Sequence, residues 1–185
     1  ARLNPEEQMA LNAIWRYYIE HGGWIPHRIL HAQCGGKAAV RQALQTLGGS
    51  IAFESRDQGS EVYQFTLLGA LLTDAGPEAQ RLLLSYLEWV RQMALRDPLM
   101  NHVESGAVQA ALNLSTEETQ TLGRLILLGN FWGGSAGHGA SEWKMAVPHD
   151  VEDIPEDVET YLEQKILKDY DAQMPFEEGP RRTYR

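Results

Sequence analysis

Three residues able to ligate a metal, His27, His31 and Cys34, stand at i, i+4 and i+7, so a continuous helix would set them on one face. Imidazole and thiolate at that spacing suit a zinc or copper site. A fourth ligand is not evident nearby, although His21 could be drawn in. A lone cysteine in a short helix serves equally well as a small buried apolar group, and no metal or other cofactor is expected. The run Gly133-Gly-Ser-Ala-Gly137-His-Gly139 has the glycine density of a phosphate-cradling loop. It lacks the Gly-Lys-Ser/Thr ending and does not join a strand to a helix, so it reads as the tip of a hairpin. No nucleophile elbow or paired-carboxylate spacing can be found, and the chain is expected not to be an enzyme.

The charge distribution is more informative. The 185 residues carry 16 Lys and Arg against 25 Asp and Glu, a net charge of −9. That balance excludes a protein that coats nucleic acid or anionic membrane indiscriminately. Residues 1–70 nevertheless hold equal numbers of basic and acidic side chains, and the deficit lies entirely in 71–185. From His21 to Phe53 there is no Asp or Glu, while Arg28, Lys37, Arg41 and three histidines fall inside that window. Such a stretch could face an anion, or could be simply the apolar middle of a small domain. The apolar content of 43% supports a real core. Apolar runs of about six residues are far short of the roughly 20 that span a bilayer. The first residues lack a secretory leader's apolar stretch, and the single cysteine fits a reducing compartment, so a cytoplasmic protein with no membrane partner is expected.

The elements that would position these residues follow from local signals. Asn4-Pro5-Glu6-Glu7 is a helix start, and apolar residues from Met9 to Ile19 recur at helical spacing until Gly22-Gly23. Pro26 opens a short helix to about Gln33, and Lys37–Leu47 forms a third, stopped by Gly48-Gly49. The period then changes. Residues 51–55 and 61–65 read as strands around the polar turn Arg56-Asp-Gln-Gly59-Ser. Three short helices followed by a β-hairpin closing in Tyr63-Gln-Phe65-Thr66-Leu67 resemble the winged-helix variant of the helix-turn-helix superfamily, over roughly residues 5–72.

That resemblance implies a DNA-binding role in which Lys37–Leu47 is the reading helix. Its outward residues would be Lys37, Arg41, Gln42 and Gln45, with Thr46 near the end. Arg and Lys can pair with guanine edges and Gln with adenine. Arg28 on the preceding helix and Arg56 in the wing would contact phosphate.

The pattern then repeats. A long helix from about Glu78 to Arg96 ends at Asp97-Pro98, and its apolar positions cover more than one side, which predicts burial of more than one face, between domains or subunits. A short helix over 105–112 and a second opened by the capping box Ser115-Thr-Glu-Glu118 follow. Asn130-Phe-Trp132 and Glu142–Val147 are predicted to pair as a hairpin. The fold class expected is thus mostly α with small β-hairpin wings, two tandem winged-helix domains over 1–73 and 78–147. An acidic helical appendix covers 148–173, its helix presenting Val158, Tyr161, Leu162 and Ile166 to the second domain, and 174–185 form a flexible tail. Glu117 and Glu118 would repel phosphate, so the second domain is expected to make protein contacts. Altogether the sequence predicts a dimeric, transcription-regulating DNA-binding protein. The alternative is an acidic adaptor within a larger assembly, with a protein partner or a second copy held through the 78–96 helix or the second domain. Metal sensing through His27, His31 and Cys34 is a third, weaker possibility.

Overall fold

The computed structural model describes residues 2–131, 142–147 and 155–173, with side chains as far as 166. The fold is mixed α+β with small antiparallel sheets, divided into two compact units: one built on the chain up to Pro77 and taking in the chain from Ile166, the other Glu78–Lys165.

The first unit begins with α1 (Pro5–His21). Asn4 and Glu7 satisfy each other's free amides in a capping box, and Gly22 ends the helix in the left-handed region at φ 69. A two-residue strand β1 (Ile25–Pro26) leads into α2 (His27–Gln33), then α3 (Lys37–Leu47). Strands β2 (Ala52–Asp57) and β3 (Ser60–Phe65) form the hairpin. Its two-residue loop has positive φ at both Gln58 (49) and Gly59 (82), the twist that matches right-handed strands. The sheet order is β1-β3-β2, all antiparallel, with Ile25 opposite Tyr63. A short α4 (Leu67–Leu71) closes the unit. Leu11, Ile14, Ile25, Leu30, Val40, Tyr63 and Phe65 are buried in its core. Trp24 stacks on Tyr18 at 4.6 Å, and Phe65 meets Trp24 edge-on at 5.6 Å, so aromatic packing fastens α1 to the hairpin.

The second unit runs α5 (Gly76–Arg96), β4 (His102–Glu104), α6 (Ser105–Leu112), α7 (Thr116–Gly129) and β5 (Lys144–Ala146). Helix α8 (Val158–Gln173) follows, with Leu162 buried and Lys165 Nζ 5.2 Å from the ring centre of Phe131. The order helix, strand, helix, helix, strand recurs from the first unit, with β4 and β5 paired antiparallel as β1 and β3 are, but among the described residues no strand corresponds to β2.

Two expectations are corrected here. Lys144–Ala146 pairs with His102–Glu104, not with Asn130–Phe131, which is helix end and turn. Trp132, the glycine-rich run 133–140, residues 148–154 of the expected appendix and residues 174–185 lie outside the described residues. Trp143 explains the pairing. Its backbone exchanges hydrogen bonds with Ser105, donating to Oγ at 3.0 Å and accepting from the amide at 2.8 Å. Its indole Nε1 donates to the Thr119 carbonyl at 2.9 Å, and its ring covers Gly123, where a Cβ would stand only 2.5 Å from Cδ1. Second, α5 does not bury several faces. Ala79, Leu82, Leu83, Tyr86, Leu87, Val90 and Ala94 are buried and form one broad stripe at helical spacing. Leu84 and Trp89 are half-buried, and Leu95 is 51% exposed. The additional leucines therefore sit at the stripe's margins or in solvent.

Candidate nucleic-acid interface

Helix α3 positions the candidate contacts. Val40, Ala43, Leu44 and Leu47 face the core, which turns Lys37, Ala38, Gln42 and Gln45 outward, all exposed. Neither Gly36 before it nor the first turn supplies a capping side chain or a carboxylate. Arg28 on α2 is exposed too.

The other candidates are engaged. Arg41, half-exposed on the same face, donates from Nε to Glu54 Oε1 on β2 at 3.0 Å, and this carboxylate raises the guanidinium's pKa. Arg56 Nη2 lies 3.9 Å from Glu61 Oε1 across the hairpin, both side chains well exposed, a spacing that contributes little. Thr46 turns its hydroxyl back to the Ala43 carbonyl at 2.9 Å. Arg28, Lys37, Gln42 and Gln45 therefore present unpaired polar groups along α2 and α3, while Arg41 and Arg56 stand beside carboxylates. Of the expected base contacts, Arg41 is the one held by a carboxylate, and of the expected phosphate contacts, Arg56 is the one beside a carboxylate. Glu54 and Glu61 follow the acid-free window closely in sequence, but their partners are set by hairpin register.

His27 and His31 do not form a metal site with Cys34. His27 Nε2 donates to the Val62 carbonyl at 3.2 Å, its Nδ1 lies 3.5 Å from Glu61, and its ring stacks on Tyr63 at 4.0 Å. His31 Nε2 is 2.5 Å from the Tyr63 hydroxyl. Both rings are thus directed to β3. Among the described residues no group of three or more histidine, cysteine or acidic side chains is placed to hold a metal. Cys34 is half-buried, and that burial pushes its thiol pKa up, opposed by Arg16.

Tyr63, missed in the sequence, is the centre of this cluster. It is fully buried, and burial, with the Glu54 charge adding to it, pushes its phenol up to about 12. Burial also lowers the pKa of His31, reinforced by His27, Lys37 and Arg41 and opposed by Glu54. Arg41 with Glu54 ties α3 to β2, and His31 with Tyr63 ties α2 to β3.

The corresponding helix of the second unit differs. Helix α7 begins with Thr116 and Glu117 exposed; Glu118 completes the Ser115 capping box and also accepts from Arg81 Nη2 at 2.8 Å. Its leading end is anionic. Among the described residues no helix is long and apolar enough to cross a membrane. Comparisons with protein-family models, curated proteins and solved structures found no match to the chain.

Proposed function

We propose that the chain carries two winged-helix domains in tandem, and that the first docks α3 in the major groove of duplex DNA as part of a non-enzymatic regulatory protein. The repeated element order and the β1-β3-β2 sheet support the domain reading. The observation that carries the DNA reading is the exposed row Lys37, Gln42 and Gln45, flanked by Arg28, within a stretch free of carboxylates from His21 to Phe53. Glutamine side chains at base level, a lysine at the helix start and an arginine on the preceding helix are the donors such docking uses. The second domain, with its anionic α7 end, makes protein contacts.

Fluorescence anisotropy with a duplex at two salt concentrations tests this. Each phosphate neutralised adds about 0.9 to the slope of log affinity against log salt. With Arg41 and Arg56 beside carboxylates, Arg28 and Lys37 should give a slope of about −2 per chain. Lys37→Ala should weaken binding and flatten that slope, whereas Arg96→Ala, which removes the same charge from an exposed position of the second unit, should not.

A second reading, an adaptor that binds protein rather than DNA, is favoured by the two arginine–carboxylate pairs and by Glu117 and Glu118. Undetectable duplex binding at about 50 mM salt, where phosphate attraction is strong, would select it.

A further inference from the structure

The placement of Glu54 divides the cations of α3 by what they can recognise. A phosphate is drawn to net positive charge, whereas a guanine edge is neutral and recognises directed donors through O6 and N7. Lys37 is an exposed point charge with no acidic neighbour in its helix turn. Arg41 stands 3.0 Å from a carboxylate, and the pair together carries no net charge. Its guanidinium is planar and holds five donors, of which the Glu54 bond occupies Nε. The Glu54 bond, from β2, is the contact that holds the Nε edge of that plane.

We propose that Glu54 is a positioning residue that makes Arg41 a reader of guanine in the major groove and removes it from phosphate binding. This rests on the DNA reading above and deepens it: the target contains a guanine facing the start of α3, and Lys37, not Arg41, supplies the electrostatic attachment. A free arginine would slide to the nearest phosphate; the carboxylate cancels that pull while leaving the fork geometry intact.

The test begins with selection of sequences by the full chain from a duplex library with a randomised centre. The selected duplex is then compared with the same duplex carrying 7-deazaguanine, which lacks the N7 acceptor. Wild-type chain should prefer the guanine duplex by roughly 5- to 150-fold, the span of one bidentate contact. Arg41→Ala and Arg41→Lys should both lose that preference while leaving the salt slope unchanged. Lys37→Ala should keep the preference and flatten the slope by about 0.9. Glu54→Gln, which keeps an acceptor for Nε but removes the cancelling charge, should retain part of the preference and steepen the slope by about 0.9. Glu54→Ala should lose it and steepen the slope by about 0.9, as the released guanidinium moves to phosphate. Melting followed by circular dichroism identifies any variant that fails to fold, and the Arg41→Lys and Glu54→Gln pair carries the test if an alanine variant does. A selected site without guanine, or an Arg41→Ala slope flattened by about 0.9 with the preference kept, overturns the guanine assignment while leaving DNA binding standing. Failure of the wild-type chain to bind any duplex overturns both.

Discussion

Truncating Trp143 tests whether residues 142–147 close the second unit against β4, the pairing that replaced the expected hairpin. The indole is almost wholly buried. A buried tryptophan removes about 200 Å² from water, which at ~25 cal/mol per Å² corresponds to about 5 kcal/mol as an upper figure. Alanine keeps the Cβ and the backbone bonds to Ser105, so Trp143→Ala should cost about 3–5 kcal/mol. Trp143→Phe keeps most of the apolar ring that meets Tyr86 edge-on at 6.2 Å and loses the Nε1 bond to Thr119. It should cost about 1–2 kcal/mol, the cost of one buried hydrogen bond and a partial void. Urea unfolding followed by far-ultraviolet circular dichroism measures both. The order alanine, phenylalanine, wild type in rising stability is expected, with the alanine variant's loss falling in the second unit. The β4–β5 reading is refuted if Trp143→Ala loses less than about 1 kcal/mol, because a loosely packed indole on an unpaired segment would cost no more than a surface substitution.

Three further outcomes are expected. Because the folded-state pKa of His31 lies below its ordinary value, its contribution to stability is complete above about pH 6.5 and declines as pH falls through the lowered value. Urea midpoints at pH 7.5 and 5.0 should therefore fall further for wild type than for His31→Gln, whose side chain can still accept the Tyr63 hydroxyl; equal losses would contradict the placement of the imidazole. Gly59→Val puts a branched side chain at φ 82 in the hairpin turn and should lower stability by about 1–2 kcal/mol, read as a shift in melting temperature, whereas Gly59→Asn should be nearly neutral. Gly123→Ala drives a Cβ into the Trp143 ring and should destabilise by about 1–3 kcal/mol in the same urea assay; Trp143→Ala in the same chain should relieve that penalty.

Much of the helical framework is legible from the chain alone, because helix ends are specified by neighbours in sequence. Asn4 with Glu7 and Ser115 with Glu118 are capping boxes within four residues, and Gly22 adopts the left-handed turn only glycine takes cheaply. The β2–β3 hairpin is legible for a related reason: the apolar residues Ile51, Phe53, Tyr63 and Phe65 lie on either side of a polar stretch, within which Gln58 and Gly59 take the positive φ values that close the turn. Strands β1 and β4 are not legible. Two and three residues are too few to show an alternation, and they are extended only because β3 and β5, distant in sequence, supply their hydrogen bonds. The candidate interface divides the same way. That Lys37, Gln42 and Gln45 share a face follows from helical spacing, and the absence of acid from His21 to Phe53 can be counted. That Arg41 is held by Glu54 and that His31 turns onto Tyr63 depended on where the hairpin packs against α2 and α3. Periodicity assigns a residue to a face, but ion pairs and ring contacts across 13 or 32 positions are decided by the tertiary approach of the elements that carry them.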